Sequence, residues 1–187
     1  MNTIVAVLGV ASAAGINAYA ALLALGLSVR FELVPFRSKA ALFFAQDWVL
    51  IAVGLLYLVE FIADKIPAVD HAWDAIHTLI RPIAGAAAAV AIVSGSGEGW
   101  VVLAALLGGA TSLLFHTVKA TGRVAVNAGT AGTLGWVVSL IEDAVAILGA
   151  VLALLWPVLA LAALALIVPA ATWLILRRRR RRRAAPA

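Results

Sequence analysis

The chain has 187 residues, 65% of them hydrophobic and 12% charged, with a mean hydropathy of +1.09. Soluble domains run at about 45–50% apolar and about 25% charged, so a water-soluble fold of this length is excluded and lipid must be part of the solvent. There is no cysteine, which removes disulfides, thiol catalysis and thiolate-bound metals, and three histidines (His71, His77, His116) leave little for a metal site.

The formal net charge of +5 is unevenly placed. Arg177 to Arg183 is an unbroken run of seven arginines, and without it seven basic residues face nine acidic ones. A basic run directly after an apolar segment is first a topology determinant that holds its end of the chain in the cytoplasm. It also attracts anionic lipid. Nucleic-acid binding would need a reading surface as well, and the sequence offers none.

Six apolar stretches follow one another, at roughly 3–28, 40–63, 82–96, 100–118, 130–153 and 157–176. At about 20 residues per crossing they predict an all-α integral membrane protein of four to six transmembrane helices. The expected layout is one polytopic domain over 1–176 and a basic cytoplasmic tail over 177–187. The first stretch lacks the basic leader of a cleavable signal and reads as a segment that stays in the membrane. Ser12-Ala13-Ala14-Gly15-Ile16-Asn17 interrupts it with small and polar residues. The second is an ordinary span, with Asp47 near its start. The third is short and ends in Ser94-Gly95-Ser96-Gly97. Gly108-Gly109-Ala110-Thr111-Ser112 interrupts the fourth as Gly15–Asn17 interrupts the first. The last is free of charge, with Trp156 and Trp173 near its ends as an interfacial pair.

Irregular backbone at membrane depth survives only where protein or a water-filled cavity shields it. Paired interruptions in two halves therefore predict two re-entrant segments in weakly related halves, with a substrate site between them. Tight helix packing through Gly, Ala and Ser explains the same residues without a site. Under the re-entrant reading Arg30–Lys39, Lys119–Arg123 and the arginine tail share the cytoplasmic face, and Asp70–His77 lies opposite.

Ionisable residues in apolar segments are expensive and mark partners or pathways. His116, Lys119, Arg123 and Asn127, spaced 3, 4 and 4, form one helical stripe suited to a carboxylate or phosphate. As ordinary flank charges, Lys119 and Arg123 would instead snorkel to the interface. Gly15, Asn17 and Ser112 complete the candidate substrate site. Glu60 and Asp64 share a helix face, and Glu142 and Asp143 lie deep in an apolar helix. These four carboxylates are candidates for proton coupling or for ion pairs, since a buried carboxylate without a partner takes up a proton readily. Asp70, Asp74, His77 and Arg81, spaced 4, 3 and 4, read as the solvated face of an amphipathic helix on the membrane surface.

Gly15-Ile16-Asn17-Ala18-Tyr19, the string from Glu60 through Asp64-Lys65-Ile66-Pro67 to Asp70, Arg81-Pro82, the His116/Lys119/Arg123 set and Ser139-Leu140-Ile141-Glu142-Asp143 together resemble a bacterial integral-membrane family, domain of unknown function 4126. The resemblance covers the chain to about Pro157 and excludes the arginine tail. It implies a polytopic protein of the bacterial inner (plasma) membrane and carries no activity.

No metalloprotease, nucleophile-elbow or phosphate-loop motif is present, so an enzyme is not expected, and neither a metal nor another cofactor is called for. The expectation is a transporter or lipid-translocating protein for an anionic carboxylate or phosphate substrate, with proton coupling. The alternatives are an ion channel, and a structural or partner-binding membrane protein. Membrane lipids, anionic lipid at Arg177–Arg183 and a second copy of the chain in a homo-oligomer are the expected partners.

Overall fold

In the computed structural model, residues 3–95, 97–130, 133–163 and 166 are described. They form α1 (Thr3–Ile16), α2 (Ala18–Arg30), α3 (Lys39–Phe44), α4 (Asp47–Ala63), α5 (Pro67–Val93), α6 (Glu98–Thr130) and α7 (Gly135–Leu155). Residues 157–163 are again helical. Most of the last predicted stretch and the whole arginine tail lie outside the described residues.

Local chemistry sets the boundaries. Ser38 caps α3 by accepting from the Ala41 N–H at 3.0 Å. Asp47 and Glu98 sit in the first turns of α4 and α6, where a carboxylate meets unpaired N–H groups. Pro67 opens α5, a position where its missing N–H costs nothing.

The first stretch is broken where the sequence predicts. Asn17 is extended (φ −146°, ψ 108°) and its side chain caps α2 by accepting from the Ala20 N–H at 2.9 Å. The chain reverses there. Gly9 packs on Ala153 while Asn17 bonds to Asp143, so α1 runs antiparallel to α7. Gly26 of α2 packs against Phe44 of α3, and Ser38 at the start of α3 donates to the Ala91 carbonyl. The end of α2 is thus back beside the end of α5 where α1 begins, with Val7 and Val93 in one core cluster.

The fourth stretch is not broken. α6 runs 33 residues without interruption through Gly108–Ser112. The glycines there serve close packing instead: a Cβ on Gly108 would stand 2.5 Å from the Gly85 carbonyl oxygen, and one on Gly85 would stand 2.5 Å from Ser112 Cβ. The second predicted re-entrant segment, and with it the relation between two halves, is therefore corrected. Small residues joined α5 to α6, and nothing required the backbone to open. The predicted short third stretch is the second half of α5, with Pro82 inside the helix.

Among the described residues, three helices are long and apolar enough to cross a membrane: Ala72–Val93, Glu98–Asn127 and Gly135–Leu155. The distribution of side chains agrees with lipid outside. Ile51, Leu55, Ile62, Leu106, Leu114, Ile141 and Leu148 are exposed, whereas the interior is built from Ala6, Ala14, Ala88, Ala91, Ala150 and Ala153. Helices in lipid gain no hydrophobic energy from associating, so small side chains bring the backbones close and polar groups hold them.

Candidate functional site

The polar groups are collected inside, around the reversal at Asn17. The α6 stripe is formed as its spacing predicts, and each cation on it meets a partner. Lys119 Nζ donates to Asp64 Oδ2 at 2.9 Å and to the Ile16 carbonyl at 3.0 Å. Arg123 donates through Nε (2.8 Å) and Nη2 (2.7 Å) to Glu142 Oε2, and also through Nη2 to Asp64 Oδ2 at 3.2 Å. Its Nη1 donates to the Asp64 carbonyl. Lys119 and Arg123 are thus interior residues, not loop or flank charges.

Arg81 is fully buried and opposes the stripe from α5. Its Nη2 donates to Glu60 Oε1 at 2.8 Å, and its Nη1 donates to His116 Nδ1 at 2.7 Å and to the Gly15 carbonyl at 3.2 Å. Asp74 Oδ1 stands 3.5 Å from Nη2. Ser112 Oγ donates to the Arg81 carbonyl at 2.7 Å, which fixes α5 against α6 at this level.

The tautomer of His116 follows from these bonds. A guanidinium can only donate, so Nδ1 accepts and the proton is on Nε2. Nε2 then donates to Thr78 Oγ1 at 3.0 Å, and Thr78 Oγ1 in turn donates to the Asp74 carbonyl at 3.0 Å. His116 is neutral and fully used. His77 is held the other way: its Nδ1 donates to the Trp73 carbonyl at 2.9 Å, and Nε2 has no hydrogen-bond partner.

The two carbonyls at the end of α1 are therefore capped by Arg81 at Gly15 and Lys119 at Ile16. A helix C-terminus carries partial negative charge and unpaired carbonyls, and two buried cations answer both. Beyond the reversal, Asn17 Nδ2 donates to Asp143 Oδ1 at 3.0 Å. Lys65 Nζ approaches Asp143 Oδ2 and Ser139 Oγ at 3.5 Å, donates to the Phe61 carbonyl, and lies 3.1 Å from the centroid of the Phe61 ring. Glu142 and Asp143, adjacent in sequence, thus serve different partners, as their angular separation on a helix requires. Asn127 lies one turn past Arg123, its Oδ1 buried and unpartnered.

The predicted site residues Gly15, Asn17, Ser112, His116, Lys119, Arg123, Glu60, Asp64, Glu142 and Asp143 converge on this one cluster. The sequence reading of Asp74, His77 and Arg81 as a solvated face is corrected, because Arg81 and His77 are fully buried and Asp74 is half-buried and turned to Arg81. The side chain of Asp70 lies outside what is described. Lys65 and Thr78 were also missed. The signal lay in the sequence: the 4, 3, 4 spacing of Asp70 to Arg81 nearly mirrors the 3, 4, 4 spacing of His116 to Asn127, as expected of two facing antiparallel helices. No group of three or more His, Cys, Asp or Glu residues suited to a metal occurs among the described residues.

Apolar exteriors around a buried network of charge define an all-α integral membrane protein. The chain belongs to the family domain of unknown function 4126 (DUF4126), whose family model matches residues 4–177. No curated protein and no solved structure matches the chain.

Proposed function

We propose that this protein is a membrane transporter or lipid-translocating protein that moves a carboxylate or phosphate anion together with a proton, by exchanging the anion for its own Glu142. The observation that carries the reading is the Arg123 fork, which holds two internal carboxylates at once. One of them, Glu142, keeps 16% of its side chain exposed, against 1% for Asp64. Protonation of Glu142 turns a carboxylate into a neutral acid and weakens its hold on Nε and Nη2. The Nε–Nη2 edge, still anchored to Asp64 and with Lys119 Nζ 3.7 Å from the same Glu142 oxygen, then offers a bidentate cationic seat to an incoming anion. One anion and one proton enter together, so the buried charge is unchanged. The broken α1–α2 pair supplies a re-entrant element whose capped carbonyls flank this seat.

The chain is proposed to reside in the bacterial inner membrane as a homo-oligomer. Its C-terminus is cytoplasmic, with Arg177–Arg183 against anionic lipid. In proteoliposomes the protein should take up an anion with alkalinisation of the medium. Lys119→Ala and Arg123→Ala should abolish the uptake, and unaltered flux in both would remove the proposed seat.

A structural, partner-binding role is the second reading, favoured by the saturation of Lys119 and Arg123 with internal acids. It predicts no flux and an unchanged protein in Glu142→Gln apart from loss of a co-purifying partner.

A further inference from the structure

Two buried acceptors face each other with nothing donated between them. Glu60 and His77 are both wholly inaccessible, and His77 Nε2 stands 3.8 Å from Glu60 Oε1. With Nδ1 committed to the Trp73 carbonyl, a neutral His77 would present the Nε2 lone pair to a carboxylate. Neither Nε2 nor Glu60 Oε2 has a hydrogen-bond partner. Buried polar atoms without partners are rare and imply a missing proton, ion or water.

The charge of the surroundings points the same way. The buried network holds Lys65, Arg81, Lys119 and Arg123 against Glu60, Asp64, Asp74, Glu142 and Asp143, four fixed cations to five carboxylates. One negative charge is left over at membrane depth, where an uncompensated charge is costly. The groups facing the gap are Arg81 and Asp74 on α5, Asp64 after α4, His116 and Lys119 on α6, and Tyr19 on α2, whose ring meets the His77 edge at 5.6 Å. Glu142 and Asp143 on α7 lie beyond Lys119 and Lys65. His116 has no vacancy, since a proton on Nδ1 would point at the Arg81 guanidinium. Asp64 Oδ2 and Glu142 Oε2 are each gripped by two cations.

We propose that Glu60 and His77 hold one proton between them, forming a buried proton-binding site. The proton sits on the imidazole Nε2 or the carboxyl oxygen as an N–H···O or O–H···N bond, and in either form it brings the network to neutrality. Trp73 fixes the ring and Arg81 fixes the carboxylate. Because Arg81 also caps the Gly15 carbonyl, gain or loss of this proton changes the charge that the same guanidinium must balance at the α1–α2 reversal. The site stands whether or not Arg123 and Glu142 exchange an anion.

The test uses the full chain in lipid nanodiscs with 15N-labelled histidine, the His77 signals being assigned by their loss in His77→Gln. The wild type should show Nε2 in a shared-proton hydrogen bond near neutral pH. It should release one proton per chain at high pH, with loss of an infrared band from a protonated carboxyl or imidazolium. Glu60→Gln supplies an amide donor in place of the proton, so it should abolish that titration and leave His77 neutral with its proton on Nδ1. If this variant does not accumulate, the wild-type spectrum decides alone. A bare Nε2 accepting from water, with no such band and no released proton, overturns the site.

Discussion

Asn17 and Asp143 are 126 positions apart in sequence and joined at 3.0 Å between the side-chain amide and Oδ1. The same Asn17 side chain accepts from the Ala20 N–H, so one residue both starts α2 and ties the reversal to α7. The carboxamide carries a donor and an acceptor on one carbon, which lets it do both at once. Asn17→Ala should cost about 1 kcal/mol for the lost cap and about 1–3 kcal/mol for the buried carboxylate left short of a donor. Asn17→Asp keeps the cap but places a second carboxylate against Asp143. The exchange Asn17→Asp with Asp143→Asn restores a donor across the gap and should recover much of the lost thermal stability in detergent. Failure of the pair to improve on Asn17→Asp would show that the contact does not hold the reversal.

The Arg81–Glu60 pair is buried on both sides. Arg81→Met strands a carboxylate and should destabilise by about 3–5 kcal/mol. Arg81→Met combined with Glu60→Met removes both charges and should unfold at a higher temperature than Arg81→Met alone. Arg81→Lys should not rescue, because a single ammonium cannot reach Glu60, His116 and the Gly15 carbonyl together. A double-mutant cycle on thermal midpoints checks all three.

Glycine positions give a paired test of the α5–α6 packing. Gly108→Val must push α6 from the Gly85 backbone and strain the Ser112 bond to Arg81, so the protein should lose stability and elute as aggregate. Gly122 has nothing within 4 Å of an added Cβ, so Gly122→Ala should be neutral or gain up to about 1 kcal/mol from helix propensity. Equal effects at the two sites would argue against the close crossing.

Helical character, the break at Asn17 and most members of the buried cluster were legible in the sequence, because charge in an apolar segment needs a partner. The break at Asn17 was legible because Gly15 and Asn17 join a backbone release to a capping side chain. The second break was misread because Gly108–Ser112 carries the same residue types for a different reason, room for the Gly85 backbone. Asp74, His77 and Arg81 were misread because a one-sided polar stripe looks alike whether it faces water or a second stripe. Only the pairing with α6 distinguishes the two, and that lies 35 residues away, from Arg81 to His116.

The reversal also predicts topology. Ser38 bonds to Ala91, and the 19 residues from Ala72 to Ala91 rise about 28 Å along α5, close to the hydrocarbon thickness. Single cysteines at Ser38 and Ala72 should therefore lie on opposite faces, one labelled by an impermeant thiol reagent in intact cells and one shielded. Labelling of both Ser38 and Ala72, or of neither, would contradict this arrangement.

The exchange at Arg123 is tested most directly by proton-coupled uptake in proteoliposomes enclosing a pH-sensitive dye, with radiolabelled phosphate, acetate and succinate offered separately under an imposed inward proton gradient. For at least one of these anions the wild type should show saturable uptake with entry of about one proton per negative charge moved at the Arg123 seat. Glu142→Gln should keep uptake of that anion but lose its dependence on the gradient, and Arg123→Ala should abolish it. Absence of gradient-driven uptake of all three anions by folded wild-type protein, or uptake indifferent to both substitutions, would contradict the account.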